Sequence, residues 1–247
     1  MRWLRRSAAF GGVFLTILLV TAPARLLNIF LPSDQVRLQA YNGTLWQGSA
    51  GSASLAVAGG WLQLGALEWK LSPWSLLLLS PRIQFESRWG RQRVVADVQI
   101  SPTGNLQLRD SSLSFSAALV KQWLPVALAG TLELLLVEME IGDGMPVAGQ
   151  GRLVWRDALW IGNRGRQALG DYVLEFNVEG ERQVRGTVTT LSGPVQVEGS
   201  FEVQGRSYSV DTTLRAEQGF DPELASALQL LAAPVDGGYQ LTFSSEF

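Results

Sequence analysis

The chain of 247 residues has no cysteine and no histidine. It therefore cannot assemble a Cys/His zinc site, a haem-His ligation, a Cys nucleophile or a Ser-His-Asp triad, and it can form no disulfide. Lysine is nearly missing, Lys70 and Lys121 being the only two, and charged residues make up 17% of the chain against a usual quarter. The net charge of −2 gives no overall basic footprint, so no nucleic-acid partner is expected. Also missing are a phosphate-cradling glycine loop ahead of a helix, an Asp-x-Asp-x-Asp-Gly calcium loop and a Ser-x-x-Lys motif. The expectation is a protein that is not an enzyme, with no catalytic, cofactor or metal residues and no small-molecule substrate.

What the chain does have is apolar surface, 47% of its residues, and an uneven charge. Arg2, Arg5, Arg6 and Arg25 are the only charged residues of 1–33, so this stretch is +4 and residues 34–247 carry the remaining −6. Ser7 to Ala24 is free of charge. As a helix these residues would span roughly 27 Å, close to the hydrocarbon thickness of a bilayer. Leu26, Leu27, Ile29, Phe30 and Leu31 prolong the run, Arg25 can snorkel to headgroups, and Trp3 suits an interface. The basic start predicts a cytoplasmic N-terminus. The expected division is a cytoplasmic stub with a transmembrane anchor over 1–33 and a β-rich domain over 34–247 on the far side. The alternative is a cleaved signal peptide ending near Thr21-Ala22-Pro23-Ala24, in which Pro23 is badly placed.

From Val36 onward, period-two alternation dominates. It runs through Leu106/Leu108, Leu113/Phe115, Tyr172/Leu174/Phe176/Val178, Val195/Val197, Phe201/Val203 and Tyr239/Leu241/Phe243. Turn signals recur at Asn42-Gly43, Pro102 to Asn105, Gly142 to Gly144, Asn163 to Gly165, Gly193-Pro194 and Gly237-Gly238. This spacing predicts antiparallel meanders. Between Trp61 and Leu71 the phase slips at Gly65, which predicts a bulge. Gly48 to Gly60, rich in Gly, Ala and Ser, predicts a tightly packed or bent sheet region. Short helices are expected over Ser72–Ser80, over Ala117–Leu124, and after Asp221. There Asp221 caps, Pro222 takes the first position, and Leu224, Ala227, Leu228 and Leu231 share a face closing one end of the sheet. A Pro-Val-x-x-x-Gly frame recurs at Pro125, Pro146 and Pro194, explained by proline starting strands and glycine bending them.

Two constellations invite a functional reading. Glu138 and Glu140 would stand roughly 7 Å apart on one strand face, the separation of an inverting glycosidase pair. They follow Leu132, Leu134 and Leu136 in phase, so a strand emerging into solvent explains them better. Seven of the nine tryptophans, Trp46, Trp61, Trp69, Trp89, Trp123, Trp155 and Trp160, are spread along the strands and are mostly expected in the core, though an apolar groove holding a lipid chain remains an alternative.

The sequence resembles the type II secretion system protein N family. The resemblance is carried by the basic-apolar start, by Gly43-Thr44-Leu45-Trp46-Gln47-Gly48, and by Leu67-Glu68-Trp69-Lys70-Leu71-Ser72-Pro73. Softer matches are Gly130-Thr131-Leu132, Gly151 to Trp155, and Leu169-Gly170-Asp171-Tyr172. It implies a mainly β fold: a single N-terminal transmembrane helix, then an elongated, curved antiparallel β-sheet or sandwich-like domain, similar in style to AsmA-like envelope proteins, with one or two short helices. It implies a non-enzymatic accessory of the bacterial inner membrane with its C-terminal domain in the periplasm. Its partners would be other platform subunits of the secretion system, and it would assist export of folded proteins across the outer membrane; an exposed edge strand is the expected means of contact. Two alternatives stand beside this: a lipid-handling envelope protein, and an outer-membrane β-barrel suggested by the alternating Tyr239, Leu241, Phe243 and the terminal Phe247.

Overall fold

The computed structural model describes residues 17–31, 34–57, 60–122, 127–142, 144–162, 165–180 and 183–246. The chain forms two compact units, Met1–Gly90 and Arg91–Phe247.

In the first unit the strands β1 (Val36–Gly43), β2 (Gln47–Val57), β3 (Gly60–Leu71) and β4 (Arg82–Trp89) form an antiparallel meander. The alternation of Leu67, Trp69 and Leu71 with polar neighbours turns these side chains to one face, where Trp69 is buried with Ala50 and Ala24. The bulge predicted at Gly65 is there. Ala50 pairs with Leu67, but Ala53 pairs with Gly65 and Ser54 with Gln63. Gly65 has a φ of +73°, and a Cβ on it would lie 2.5 Å from the Arg88 carbonyl oxygen. Only glycine fits this combination of handedness and contact. The small residues of β2 serve the same region: Ala50 and Ala53 are both buried.

The apolar N-terminal run departs from expectation. Residues 1–16, with Arg2, Trp3, Arg5 and Arg6, lie outside the described residues. Ile17–Val20 are helical and exposed, and Thr21 forms a turn. The helix thus stops four residues short of Ala24. Pro23 bridges to Thr44, Ala24–Leu26 make a 3-10 turn, and α1 (Leu27–Phe30) is a single helical turn. Ala22 and Ala24 are buried, and Leu27 packs on the cluster around Trp69. An apolar run satisfies itself equally against lipid or protein, and here Ala22, Ala24 and Leu27 turn to the sheet while Ile29 stays 74% exposed. Among the described residues no helix is long and apolar enough to cross a membrane.

In the second unit β5 (Gln92–Ile100), β6 (Leu106–Ser116), β7 (Leu128–Gly142), β8 (Met145–Gly162), β9 (Gly165–Glu179), β10 (Gln183–Ser192), β11 (Val195–Gln204) and β12 (Ser207–Ala216) follow one another as antiparallel neighbours. β14 (Gly238–Glu246) then pairs with β12, and the short β13 (Ala233–Val235) pairs with β14. The predicted alternation produces cross-strand rows. Leu113, Leu134, Leu153, Leu174 and Val188 stand opposite one another in register, and beside them run Leu136, Gly151, Phe176, Gly186 and Phe201. In the second row the phenylalanine rings lie over the glycines, where a Cβ on Gly151 would meet Phe176 Cζ at 2.7 Å. Large beside small keeps the row filled without crowding.

Short helices occur at α2 (Pro73–Leu77) and α3 (Pro222–Gln229), and Ala117–Gln122 is 3-10. Asp221 caps α3 as predicted, its carboxylate accepting from the Glu223 amide at 2.9 Å. Leu231 is 58% exposed and does not share the half-buried face of Leu224, Ala227 and Leu228, because the helix ends before it. Phe220 contacts the buried Tyr239 edge-on, with ring centroids 5.2 Å apart. Pro146 and Pro194 stand at strand starts, as the proline explanation of the recurring frame requires. Pro125 and Trp123 lie outside the described residues. Two tryptophans correct the core assignment: Trp61 and Trp89 are exposed at their strand ends, and Trp61 is covered by the Arg37 guanidinium 3.8 Å from its ring centroid.

Candidate functional site

The residues that carry the family resemblance gather at two corners, one in each unit. In the first unit, Gly43 ends β1 with a φ of +83°, and Thr44-Leu45-Trp46 cross to β2. The Thr44 amide donates to the Gln47 carbonyl at 2.9 Å, closing the loop. Beyond this bond, two of the loop's polar groups hold the N-terminal segment. The Trp46 indole N–H donates to the Leu19 carbonyl at 2.7 Å. The Leu45 amide donates to the Ala22 carbonyl at 2.8 Å. That bond pairs Thr44 with Pro23 as an antiparallel bridge. Leu19 belongs to the last helical turn, and its carbonyl accepts both the Ala22 amide at 3.3 Å and this shorter bond from the indole.

Leu67, Trp69, Leu71 and Pro73 support this loop from below. The Trp69 indole N–H donates to the Leu45 carbonyl at 3.2 Å. Its ring lies across Gly48, where a Cβ would stand 2.6 Å from Trp69 Cζ2. Tyr41 meets the same ring edge-on at 6.4 Å between centroids and donates its hydroxyl hydrogen to the Asn28 side-chain oxygen. Burial pushes the Tyr41 phenol above its ordinary pKa. The Leu71 amide donates to the Trp46 carbonyl at 2.7 Å, and Pro73 then opens α2. Arg25 is exposed beside the clasped segment. The arrangement is a mechanical clasp: a helix end, a hairpin loop and a strand end fixed to each other by backbone and indole donors. Sequence reasoning missed Asn28, Ala22 and Ala24, whose roles depend on the chain folding back and leave no periodic signal.

The second unit repeats the device. The Trp155 indole N–H donates to the Ala129 carbonyl at 3.1 Å, and a Cβ on Gly130 would lie 2.8 Å from that nitrogen. Tyr172 stacks obliquely on Trp155 at 5.9 Å and points its hydroxyl at the Leu169 and Val195 carbonyls, 2.8 and 3.0 Å away. Burial pushes the Tyr172 phenol up to about 12. Asp171 accepts from the Asp157 amide at 2.7 Å and the Ser192 hydroxyl at 2.9 Å, and these two donors hold its carboxyl below the usual range. Asp157 has a φ of +49° and sits in the bulge where β8 slips between Trp155 and Ala158. Asp171 thus pins that bulge and the irregularity between Thr190 and Ser192 of β10.

Of the other residues singled out in the sequence, Glu138 and Glu140 lie outside these corners and line one small open groove. Glu138 is exposed and Glu140 accepts from the Asn105 amide group at 2.8 Å, while Lys70 points to solvent. Among the described residues no group of three or more acidic side chains could hold a metal. The second unit has an open groove of about 1070 Å³, with Leu136, Phe176 and Phe201 on its floor but Arg152, Glu175 and Glu202 also lining it. A surface this mixed is a poor match for an acyl chain, whose burial gains only from apolar contact.

The family profile described as Type II secretion system (T2SS), protein N, matches residues 34–242. The chain is similar to the type II secretion system protein N of Aeromonas hydrophila, 29% identical over 238 residues that cover 92% of each protein. It is also similar to that of Klebsiella pneumoniae, 31% identical over 155 residues, 60% of this chain and 57% of the relative. No solved structure matches it. With the profile spanning both corners and nearly every strand, the chain belongs to the type II secretion system protein N family.

Proposed function

We propose that this chain is a non-enzymatic, membrane-tethered accessory of type II secretion, held in the inner membrane by its apolar N-terminal segment with the sheet units in the periplasm. The observation that carries this reading is the clasp. An indole bond to Leu19 and a backbone bridge at Ala22 and Pro23 join the apolar segment to the Thr44–Trp46 loop, so force or position at that segment passes directly into the sheet. A flexible tether would need neither. The +4 charge of residues 1–33 supports a cytoplasmic start.

Contact with other secretion subunits runs through a sheet edge. β13 is a poor edge for this: it has three residues, one of them Pro234. β1 pairs only with β2 among the described residues, and Val36–Gln39 offers a regular run before Ala40 turns left-handed at φ +57°. Strand addition there would supply main-chain hydrogen bonds to a partner.

The test is membrane fractionation with a reporter. The full-length protein should stay in the inner-membrane pellet through alkaline carbonate and be released by detergent. Alkaline phosphatase fused after Phe247 should be active. A photo-crosslinker at Gln39 should capture a co-expressed secretion subunit. Recovery of a soluble protein lacking its first two dozen residues overturns the tether, and crosslinking to no subunit overturns the β1 contact.

A further inference from the structure

The loop between β3 and β4 is built inside out. Trp74, Leu77, Leu78 and Leu79 are 75%, 74%, 76% and 77% exposed. The polar groups, in contrast, turn inward. The Ser75 hydroxyl donates to the Ser72 carbonyl at 2.6 Å and accepts from the Arg82 amide at 2.8 Å. The Ser80 amide donates to the Ser75 carbonyl at 2.9 Å and the Leu79 amide to the Leu76 carbonyl at 3.1 Å. Leu79 holds a φ of +53°, a handedness that a bulky side chain normally avoids, and this lets three consecutive leucines face outward. A water-facing loop would show the opposite arrangement, and an exposed apolar run of this length is a defect unless something covers it.

We infer that this loop is a second membrane contact, dipping Trp74 and Leu77–Leu79 into the lipid interface beside the N-terminal segment. The inference rests on the membrane-tethered reading above. Position commits it to lipid. The Trp46 indole binds Leu19 of the exposed apolar helix, the Trp46 carbonyl accepts from Leu71, and Trp74 follows three residues later, at most about 10 Å of chain. Loop and apolar segment therefore share one end of the first unit. Chemistry agrees. No acidic residue lies between Ser72 and Pro81, while Lys70 and Arg82 flank the patch in sequence. Tryptophan with leucines, edged by cations, is the composition that settles at an anionic lipid surface.

The absence of cysteine makes the test direct. Leu78→Cys and, separately, Gln63→Cys are labelled with an environment-sensitive fluorophore in the full-length chain. Gln63 lies eight residues back along β3 from Leu71, roughly 27 Å away. Each protein is reconstituted into phosphatidylethanolamine–phosphatidylglycerol vesicles carrying nitroxide-labelled acyl chains. The label at 78 should be blue-shifted and quenched several-fold more than the label at 63, and Leu77→Cys should repeat the result. If the chain floats with vesicles but the label at 78 is quenched no more than that at 63, the loop contact is overturned and the tether stands. The same holds if that label becomes buried only when a secretion subunit is added, which assigns the patch to protein. If the chain does not float with vesicles, the tether fails and this inference fails with it.

Discussion

Tyr172 and Asp171 are neighbours with opposite acid–base consequences. The neutral Tyr172 hydroxyl is the donor to Leu169 and Val195, and its folded pKa is raised to about 12. A raised pKa on an acid means that its contribution is complete below the unfolded value near 10 and lost as pH climbs through about 12. Tyr172→Phe should remove the last tyrosinate component from an ultraviolet pH titration. It should also cost about 1 kcal/mol in denaturant unfolding at neutral pH, because two carbonyls lose a donor. For Asp171 the sign reverses. Its folded pKa is depressed by the Asp157 amide and the Ser192 hydroxyl, so its contribution is present above the unfolded value and fades as pH falls through the depressed one. Asp171→Ala should lower the midpoint of unfolding at neutral pH and leave it unchanged in strong acid, below both values; an equal loss at both pH values would refute the assignment.

At the scale of strands, the bulges set how far neighbouring rows can stay in register, and glycines set where bulges sit. Gly170 has a φ of +138°, and a Cβ on it would collide with the Ser192 carbonyl oxygen. Gly104 also has a positive φ, +90°, but open space around it. Gly170→Ala should therefore cost about 3 kcal/mol and Gly104→Ala about 1 kcal/mol in denaturant unfolding, the difference being the collision. The same logic explains which elements were legible in the sequence. The strands were, because a half-buried strand must alternate, and the slip at Gly65 was, because a bulge shifts that alternation by one. The cap at Asp221 was local chemistry. The fold-back of Ala22 to Phe30 was not legible, since an unbroken apolar run looks the same whether lipid or sheet covers it. Trp61 and Trp89 were misplaced for a related reason: alternation tells which face a residue takes, not how near the strand end it lies. The outward leucines of the β3–β4 loop depend on one left-handed residue, Leu79, that no pattern announces.

For the molecule as a whole, the question is what couples the apolar N-terminal segment to the sheet. Hydrophobic burial does part of it, through Ala22, Ala24 and Leu27, and burial alone tolerates sliding because it is non-directional. The Trp46 indole bond to Leu19 is directional and fixes the register of the join. Trp46→Phe keeps most of the ring and removes only the donor. Losing about 1.4 kcal/mol of local stability makes the open join about tenfold more populated, while the strands, which do not share that bond, should keep their unfolding midpoint. Limited proteolysis of the full-length protein in detergent should then cut between Thr21 and Leu26 about tenfold faster in the variant, under conditions where cleavage tracks the open population. An unchanged rate would mean that burial holds the join by itself, and the indole would be a passenger in the Gly43–Gly48 motif.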